Sequence, residues 1–500
     1  MMRAVLFTFV FCCWIPIIQA SPIEKDTLKK KPNIVLIMSD DHGQWAMGCS
    51  GQELIRTPNL DAMANAGVHF TNAMTVAPVC SPARASFYTG RTPSQHGVHD
   101  FLSDGPGYNS NWLKGEELLS EKMQQLGYRV GLFGKWHCTT NSPEPQRGFD
   151  QWLSYVVKNG EWITQYAHSG TVHFSDNGVA KDYTGFQANF LTSAAIDFMD
   201  EKEDKPFFIS LNLVEPHFPF EGLPERLVEY YRGVAQKIVP AGSASEAKVV
   251  RDFAVVGRDH NEKLAQYLAA VSLIDEQVGR MWEGLEGRDL LENTIFVYTS
   301  DHGHLTGQYG AYGKTNSTQP FNFYEENIRI PLLVMGPEEM VWPGQVRNEF
   351  VDLCDLHQFF LDVGGVDQNV KHDPKDGPGR SITPLVMGER NADWRSFQCS
   401  EHGNGRMITD GRWKLVRYYA QDPAEKPTDY WYDLSHPFGE ARTSPPPREA
   451  VKTLLVKQLE EYFKTYENEA HSGRHVWSQP PCNGGEPWRT EPVPVRRFSH

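Results

Sequence analysis

Four apolar runs in this 500-residue chain stop abruptly at clusters of charged and polar residues, and that arrangement leaves few architectures open. The first, Pro32-Asn33-Ile34-Val35-Leu36-Ile37-Met38, is apolar without alternation, as expected of a strand buried on both faces, and runs straight into Ser39-Asp40-Asp41-His42-Gly43. Tyr128 to Phe133 ends in Gly134-Lys135-Trp136-His137, Pro206 to Leu213 in Val214-Glu215-Pro216-His217, and Thr294 to Thr299 in Ser300-Asp301-His302-Gly303. Helical spacing over 59–66, 116–126, 190–199 and 263–285 separates the runs. The alternation predicts an α/β fold with a large, mainly parallel (mixed) sheet flanked by helices. Ligands of such sheets bind beyond the carboxyl ends of the strands, so Asp40, Asp41, Lys135, His137, His217, Asp301 and His302 are expected in one cleft.

Each cluster taken singly also reads as turn chemistry, because Asp accepts backbone hydrogen bonds and the following Gly takes positive φ. Taken together, two acidic pairs at strand ends point to a hard cation, and the cationic clusters to an anion. A further segment joins them, Cys80-Ser81-Pro82-Ala83-Arg84. Pro82 fits the first turn of a helix that continues through Tyr88 and stops at Gly90, which would set residue 80 at a helix N-terminus that favours an anion. A lone cysteine is more often a small buried hydrophobe, so the chemical reading of Cys80 rests on its surroundings.

The formal net charge of −15 argues against a nucleic-acid binder, since phosphate affinity is built from clustered Lys and Arg. It leaves room for a small anionic substrate held by a few local cations. Residues 1–20 resemble a secretory signal peptide, with Arg3, an apolar stretch from Ala4 to Ile18 and a small residue, Ala20, at the cleavage site. No other stretch has the length of a membrane span, so the mature chain is expected to lack a transmembrane segment and to be exported, periplasmic or secreted, or lysosomal or in the ER lumen in a eukaryote. Cys49, Cys80, Cys138, Cys354, Cys399 and Cys482 remain, too widely spaced to suggest a metal knuckle or a disulfide framework. Residues 21–375 read as the catalytic α/β domain. Short strand patterns over 406–409, 413–419 and 430–433 and a helical pattern over 448–466 place a smaller C-terminal α+β subdomain at 376–478, followed by an irregular tail at 479–500.

Asp40-Asp41, Thr57-Pro58-Asn59-Leu60-Asp61, Cys80 to Gly90, Gly134-Lys135-Trp136-His137, Gly148-Phe149-Asp150, Pro216-His217, Ser300-Asp301-His302-Gly303 and Lys314 form a colinear series that resembles the type I sulfatases of the alkaline phosphatase superfamily. The resemblance implies that Cys80, in a C-x-P-x-R sequence, is oxidised to formylglycine by a formylglycine-generating enzyme during maturation. It also implies one divalent cation held by Asp40, Asp41, Asp301, His302 and the modified residue 80. Calcium is the expected ion; the family often has Asn where His302 stands, and an imidazole there keeps manganese and magnesium as alternatives.

By the same resemblance, a hydroxyl of the hydrated aldehyde attacks sulfur to give a covalent sulfo-enzyme intermediate, with Arg84 favouring the ionised nucleophile. Lys135, His217 and Lys314 bind the substrate, the two lysines on sulfate oxygens; His217, with Lys314, protonates the leaving oxygen, and His137 takes a proton from the second hydroxyl to expel sulfate. The expected substrate is a sulfated carbohydrate or other sulfate ester, with Trp45, Trp112, Trp136, Trp152 and Trp162 as candidate sugar-stacking faces and His99, Asp100 and His304 as polar neighbours. A phosphodiesterase or phosphonate monoester hydrolase using the same site, and a glycan-binding pseudoenzyme, are the competing readings.

Overall fold

The computed structural model describes residues 30–103, 108, 112–139, 144–156, 167–200, 205–240, 248–366, 373–390, 393–436 and 439–490. The signal segment expected over 1–20 lies outside these, as do Trp162 and the last ten residues of the tail. Ten strands form the main sheet: β1 (Asn33–Ser39), β2 (Val68–Phe70), β3 (Arg129–Gly134), β4 (Gln151–Tyr155), β5 (Thr171–Asp176), β6 (Val179–Thr184), β7 (Phe207–Asn212), β8 (Thr294–Ser300), β9 (Leu332–Met335) and β10 (Gln345–Arg347). Their spatial order is β10-β2-β9-β8-β1-β7-β3-β4-β5-β6. The five central strands, β8 through β4, run parallel, and antiparallel pairings extend the sheet on both sides.

The unbroken apolar run of β1 has a direct cause. Val35 and Ile37 enter a core with helices α3 (Gln187–Met199) and α4 (His260–Glu286), while Ile34, Leu36 and Met38 enter a second core on the opposite face. That second face is covered by α2 (Cys80–Thr89) and α5 (Leu353–Val363), through residues such as Phe87 and Phe360. Helix α1 (Pro58–Ala66) begins with proline in its first turn and contributes Leu60 and Met63 to the first core. Full burial of each such side chain stabilises the fold by about 1.5–3 kcal/mol relative to exposure. The helix expected over 116–126 is shorter, Leu119–Gln125, because Leu118 is extended and Glu121 folds back to accept a hydrogen bond from its N–H at 3.0 Å.

Register aligns the strand ends. Ser39 pairs with Ser300, Met38 with Asn212, and Gly134 with Asn212, so the polar clusters that follow emerge from one edge of the sheet. Two glycines of these clusters are required by close backbone approach: a Cβ on Gly134, at φ +109°, would stand 2.0 Å from the Asn212 carbonyl oxygen, and one on Gly303 would stand 1.9 Å from that of Glu326.

At the C-terminal end, β11 (Gln398–His402), β12 (Gly405–Thr409), β13 (Trp413–Tyr418) and β14 (Thr428–Asp433) form an antiparallel sheet. Helix α6 (Glu449–Thr465) covers one face through Leu455, Leu459 and Phe463. The other face joins Phe321, Phe323 and Met74 in a shared core. Residues 479–490 have little regular structure, yet Ser103 N–H donates to the Cys482 carbonyl at 3.0 Å and Asn483 Nδ2 to the Phe101 carbonyl at 2.7 Å, tying this segment to the loop after residue 99.

Candidate active site

Cys80 is the first residue of α2 and is 2% exposed. Its Sγ lies 3.3 Å from Asp40 Oδ1, 3.2 Å from His302 Nε2 and 2.8 Å from Lys314 Nζ, so groups from two distant parts of the chain meet at the sulfur of a third. Val79 is extended, and the turn that α2 begins carries no side-chain cap, which leaves its N-terminal backbone facing this point. Gly90 closes the helix in the left-handed region at φ 74°.

Around Cys80 the strand ends interlock. Asp40 N–H donates to the Glu215 carbonyl at 3.0 Å, and Lys135 hydrogen-bonds Asp40 Oδ2. Asp301 Oδ1 accepts from His302 N–H at 2.9 Å and Asp41 N–H at 3.3 Å, while Oδ2 accepts from Arg84 Nε at 2.8 Å. Arg84 is fully buried, and its Nη1 donates to the Lys135 carbonyl at 3.1 Å. Asp41 adopts φ 72°, a left-handed conformation that Asp tolerates, and Lys314 Nζ sits 2.8 Å from its Oδ1.

The histidines are oriented by backbone carbonyls, which only accept. His302 Nδ1 therefore donates to the Gly303 carbonyl at 2.8 Å, aiming Nε2 at Cys80 and at Asp41 Oδ1, 3.4 Å away. His217 Nδ1 donates to the Phe218 carbonyl, placing Nε2 3.9 Å from Asp41 Oδ2. His137 Nε2 donates to the Leu102 carbonyl at 3.1 Å, and its ring lies close enough to Cys80 to help lower the thiol.

The local field is built for negative charge at residue 80. Burial alone would raise the Cys80 thiol, but Lys135, Lys314 and His302 drive it well below the usual thiol value. Burial and Cys80 push Asp40 up, yet Lys135, His217 and Lys314 outweigh them and hold its carboxyl below the ordinary range. Burial and the Asp40 charge lift Asp301 to about 6, against His302 and Arg84. Burial disfavours the charged form of His302, but Asp301 and Cys80 raise it to about 9.

The donor set also suits a divalent cation. Asp40, Asp41, Cys80 and His217 offer ligand atoms within 4.8 Å of one another, as do Asp40, Cys80, Asp301 and His302. Both carboxylate oxygens of Asp41 are buried; Oδ1 faces Lys314 Nζ, and no donor among the described residues meets either oxygen with hydrogen-bond geometry, which leaves lone pairs for a metal. Carboxylate oxygens with one imidazole fit a hard or borderline ion.

All ten residues expected at the site from the sequence, Asp40, Asp41, Cys80, Arg84, Lys135, His137, His217, Asp301, His302 and Lys314, meet here through the contacts above. The tryptophan expectation fares differently. Trp136 and Trp152 are 3% and 2% exposed and pack on each other and on Phe149, so they serve the core rather than a sugar face. Trp45 stacks on Tyr267. His99 is buried, its Nε2 2.6 Å from the His471 carbonyl, and Asp100 pairs with His402 at 3.4 Å. His304 does reach the site, with Nε2 4.0 Å from Asp41 Oδ2 and its ring stacked on Tyr267. Tyr267 itself was not anticipated: its hydroxyl donates to the Asp41 carbonyl at 2.9 Å and accepts from Gly43 N–H at 3.2 Å, fixing the turn after β1.

Comparison with known proteins agrees with this geometry. Residues 32–366 match the Sulfatase family, and 320–463 match the N-sulphoglucosamine sulphohydrolase C-terminal family. An N-acetylglucosamine-6-O-sulfatase of Bacteroides thetaiotaomicron is 27% identical, over 90% of this chain and 89% of its own. An ulvan-active sulfatase of Formosa agariphila is 31% identical over 78% of this chain and 75% of its own. A solved structure, a protein in complex with its substrate D-glucosamine-2-N,6-O-disulfate, superposes with a TM-score of 0.71 at 24% identity, covering 88% of this chain and 99% of that one. With its buried Cys80, converging strand ends and family match across most of its length, the chain belongs to the sulfatase family, the type I branch of the alkaline phosphatase superfamily, and is a sulfuric ester hydrolase.

Proposed function

We propose that this protein is exported and removes sulfate from a carbohydrate, using residue 80 as nucleophile after a formylglycine-generating enzyme has converted Cys80 to formylglycine. The observation that carries the reading is the meeting of Asp40, His302 and Lys314 on Cys80 Sγ at the buried start of α2. In the mature enzyme the oxygens of a hydrated aldehyde take the place of that sulfur. A 6-O-sulfated glucosamine is the first substrate class to try, given the names of the relative and the structural neighbour.

Asp40, Asp41, Asp301 and His302 would hold the divalent cation, calcium by preference, with residue 80 completing the set. When bound, it supplies positive charge that favours an ionised nucleophile and a polarised sulfate. Lys135 and Lys314 neutralise the sulfate oxygens, and Arg84 fixes Asp301 while balancing its charge. One hydroxyl of residue 80 attacks sulfur, and the S–O bond to the sugar breaks as the leaving oxygen takes a proton from His217 Nε2. His137 then accepts the proton of the second hydroxyl, the bond from residue 80 to sulfate breaks, and the aldehyde is restored. An unmodified cysteine lacks the second hydroxyl and could not complete this cycle.

Mass spectrometry of the peptide containing residue 80, paired with sulfate-release assays of the Cys80→Ala variant, tests this. The expected result is an aldehyde mass and loss of turnover by about 10⁴-fold or more. An unmodified thiol in fully active enzyme, or hydrolysis surviving in Cys80→Ala, overturns the mechanism. Faster turnover of an aryl phosphodiester than of the sulfated sugar overturns the substrate class.

A further inference from the structure

With Trp136 and Trp152 in the core, the sugar-facing surface must be sought elsewhere, and an aromatic ring stands beside a site histidine. Phe218 directly follows His217 and is 44% exposed. A singly exposed phenylalanine is ordinary on a protein surface, but this one is held in place. Its carbonyl accepts the His217 Nδ1 proton, and its ring lies parallel to the imidazole, at an interplanar angle of 20° with centroids 4.8 Å apart. One face of the ring is thus spent on the histidine, and part of the remainder is open to solvent.

We propose that Phe218 is a specificity-determining residue that packs against the apolar C–H face of the sugar carrying the scissile sulfate. This deepens the functional reading above and rests on it. The geometry follows from where His217 acts: a proton donated from Nε2 reaches the leaving oxygen in the plane of the imidazole. On this reading the sugar attached to that oxygen would extend outward past His217, beside the aromatic ring that lies parallel to the imidazole. A pyranose has a hydroxyl rim and an apolar face, and the flat face of a phenyl ring complements the latter without competing with Lys135 and Lys314 for the sulfate. The charged groups would then bind what all sulfate esters share, while Phe218 would read what distinguishes a ring from an open chain.

The experiment uses the mature, metal-loaded enzyme with two probes, N-acetylglucosamine 6-O-sulfate and n-propyl sulfate, which has no ring. For Phe218→Ala we expect KM for the sugar to rise about tenfold with kcat within threefold, kcat/KM for propyl sulfate to stay within twofold, and Phe218→Trp to restore the sugar KM. Trp342→Ala removes an exposed aromatic on the far flank of the sheet and should change neither substrate. Equal loss of kcat on both probes, with a shifted pH profile of kcat, would show that the ring merely props His217 and would overturn the proposal. So would an unchanged sugar KM. Wild-type enzyme that releases sulfate from neither probe would overturn the functional reading and this proposal with it, whereas an active wild type with an indifferent Phe218→Ala overturns the proposal alone.

Discussion

The cleft at the strand ends and the junction beneath the C-terminal sheet both bury charge, and they handle it in opposite ways. At the junction, Lys414 on β13 is fully buried, and its ammonium finds three oxygens: Glu325 Oε1 at 2.6 Å, Glu440 Oε1 at 2.8 Å and the Phe323 carbonyl at 2.8 Å. Glu440 Oε2 in turn accepts from Glu325 N–H at 2.6 Å. The lysine thus faces one oxygen for each of its three protons. In the cleft, three buried carboxylates crowd round Cys80, each beside a cation, Asp40 with Lys135, Asp41 with Lys314 and Asp301 with Arg84, and Lys314 also reaches Cys80 Sγ. Buried charge alone therefore does not mark a site in this molecule; buried charge whose partners share one point does.

That contrast makes opposite demands on mutants. Asp41→Asn should lower sulfate release by about 10²–10³-fold, because a ligand and a charge are lost from the reacting centre. Its metal-free thermal midpoint should change little, since neutralising one of three crowded carboxylates offsets the lost pairing with Lys314, which keeps its contact with Cys80. The rise in midpoint on adding calcium, read by calorimetry, should shrink. A variant destabilised without metal yet fully active would erase the distinction between the two regions.

Lys414→Ala is the converse. It leaves Glu440 buried without its cation, and breaking a buried pair from one side costs about 3–5 kcal/mol. Denaturant unfolding should show a loss of that size, while kcat per folded molecule stays near that of the wild type. A loss of kcat matching Asp41→Asn, in protein shown to be folded, would mean that the junction serves catalysis as well as packing.

How much of this was visible in the sequence depended on burial. β1, β3, β7 and β8 lie at the centre of the sheet, so their apolar runs are unbroken and end sharply where the chain meets the cleft. Asp40, Asp41, Lys135, His137, His217, Asp301 and His302 follow those ends and were legible from local pattern, Cys80 marks a helix start, and Arg84 and Lys314 were expected only through the resemblance to the sulfatases. β5 and β6 escaped notice because they lie at the flank, where β6 is mostly exposed and carries Lys181 and Asp182. β2 and β10 are three residues each, too short for any period to register. Tyr267 sits in the middle of α4 and reads as one more core residue; only the packing of that helix against the turn after β1 gives its hydroxyl a partner. Trp136 and Phe218 show the same limit, because both are aromatic in the sequence and only the fold buries one in the core and leaves the other partly exposed.

The smallest effect separates the two regions by pH. Lys248 is buried beside the junction, donating to the Phe321 carbonyl at 2.9 Å and the Tyr418 hydroxyl at 2.6 Å. Burial lowers its pKa to about 7 from 10.5, with Glu440 pulling the other way and Lys414 adding to the fall. In the unfolded chain the lysine keeps its proton up to about 10.5, so between about pH 7 and pH 10 the unfolded state binds more protons than the folded one, and stability rises with pH. One proton gives a slope of at most about 1.4 kcal/mol per pH unit. Unfolding free energies of wild type and Lys248→Met, measured from pH 6 to 10, should diverge across this window, with the wild type gaining on the variant. Other groups titrate there too, but equally in both proteins, so the difference isolates Lys248. Parallel curves would mean that Lys248 keeps its proton across this range despite its burial, as the neighbouring Lys414 does by virtue of Glu325 and Glu440. The line between a junction whose charges serve packing and a cleft whose charges surround residue 80 would then be drawn more sharply still.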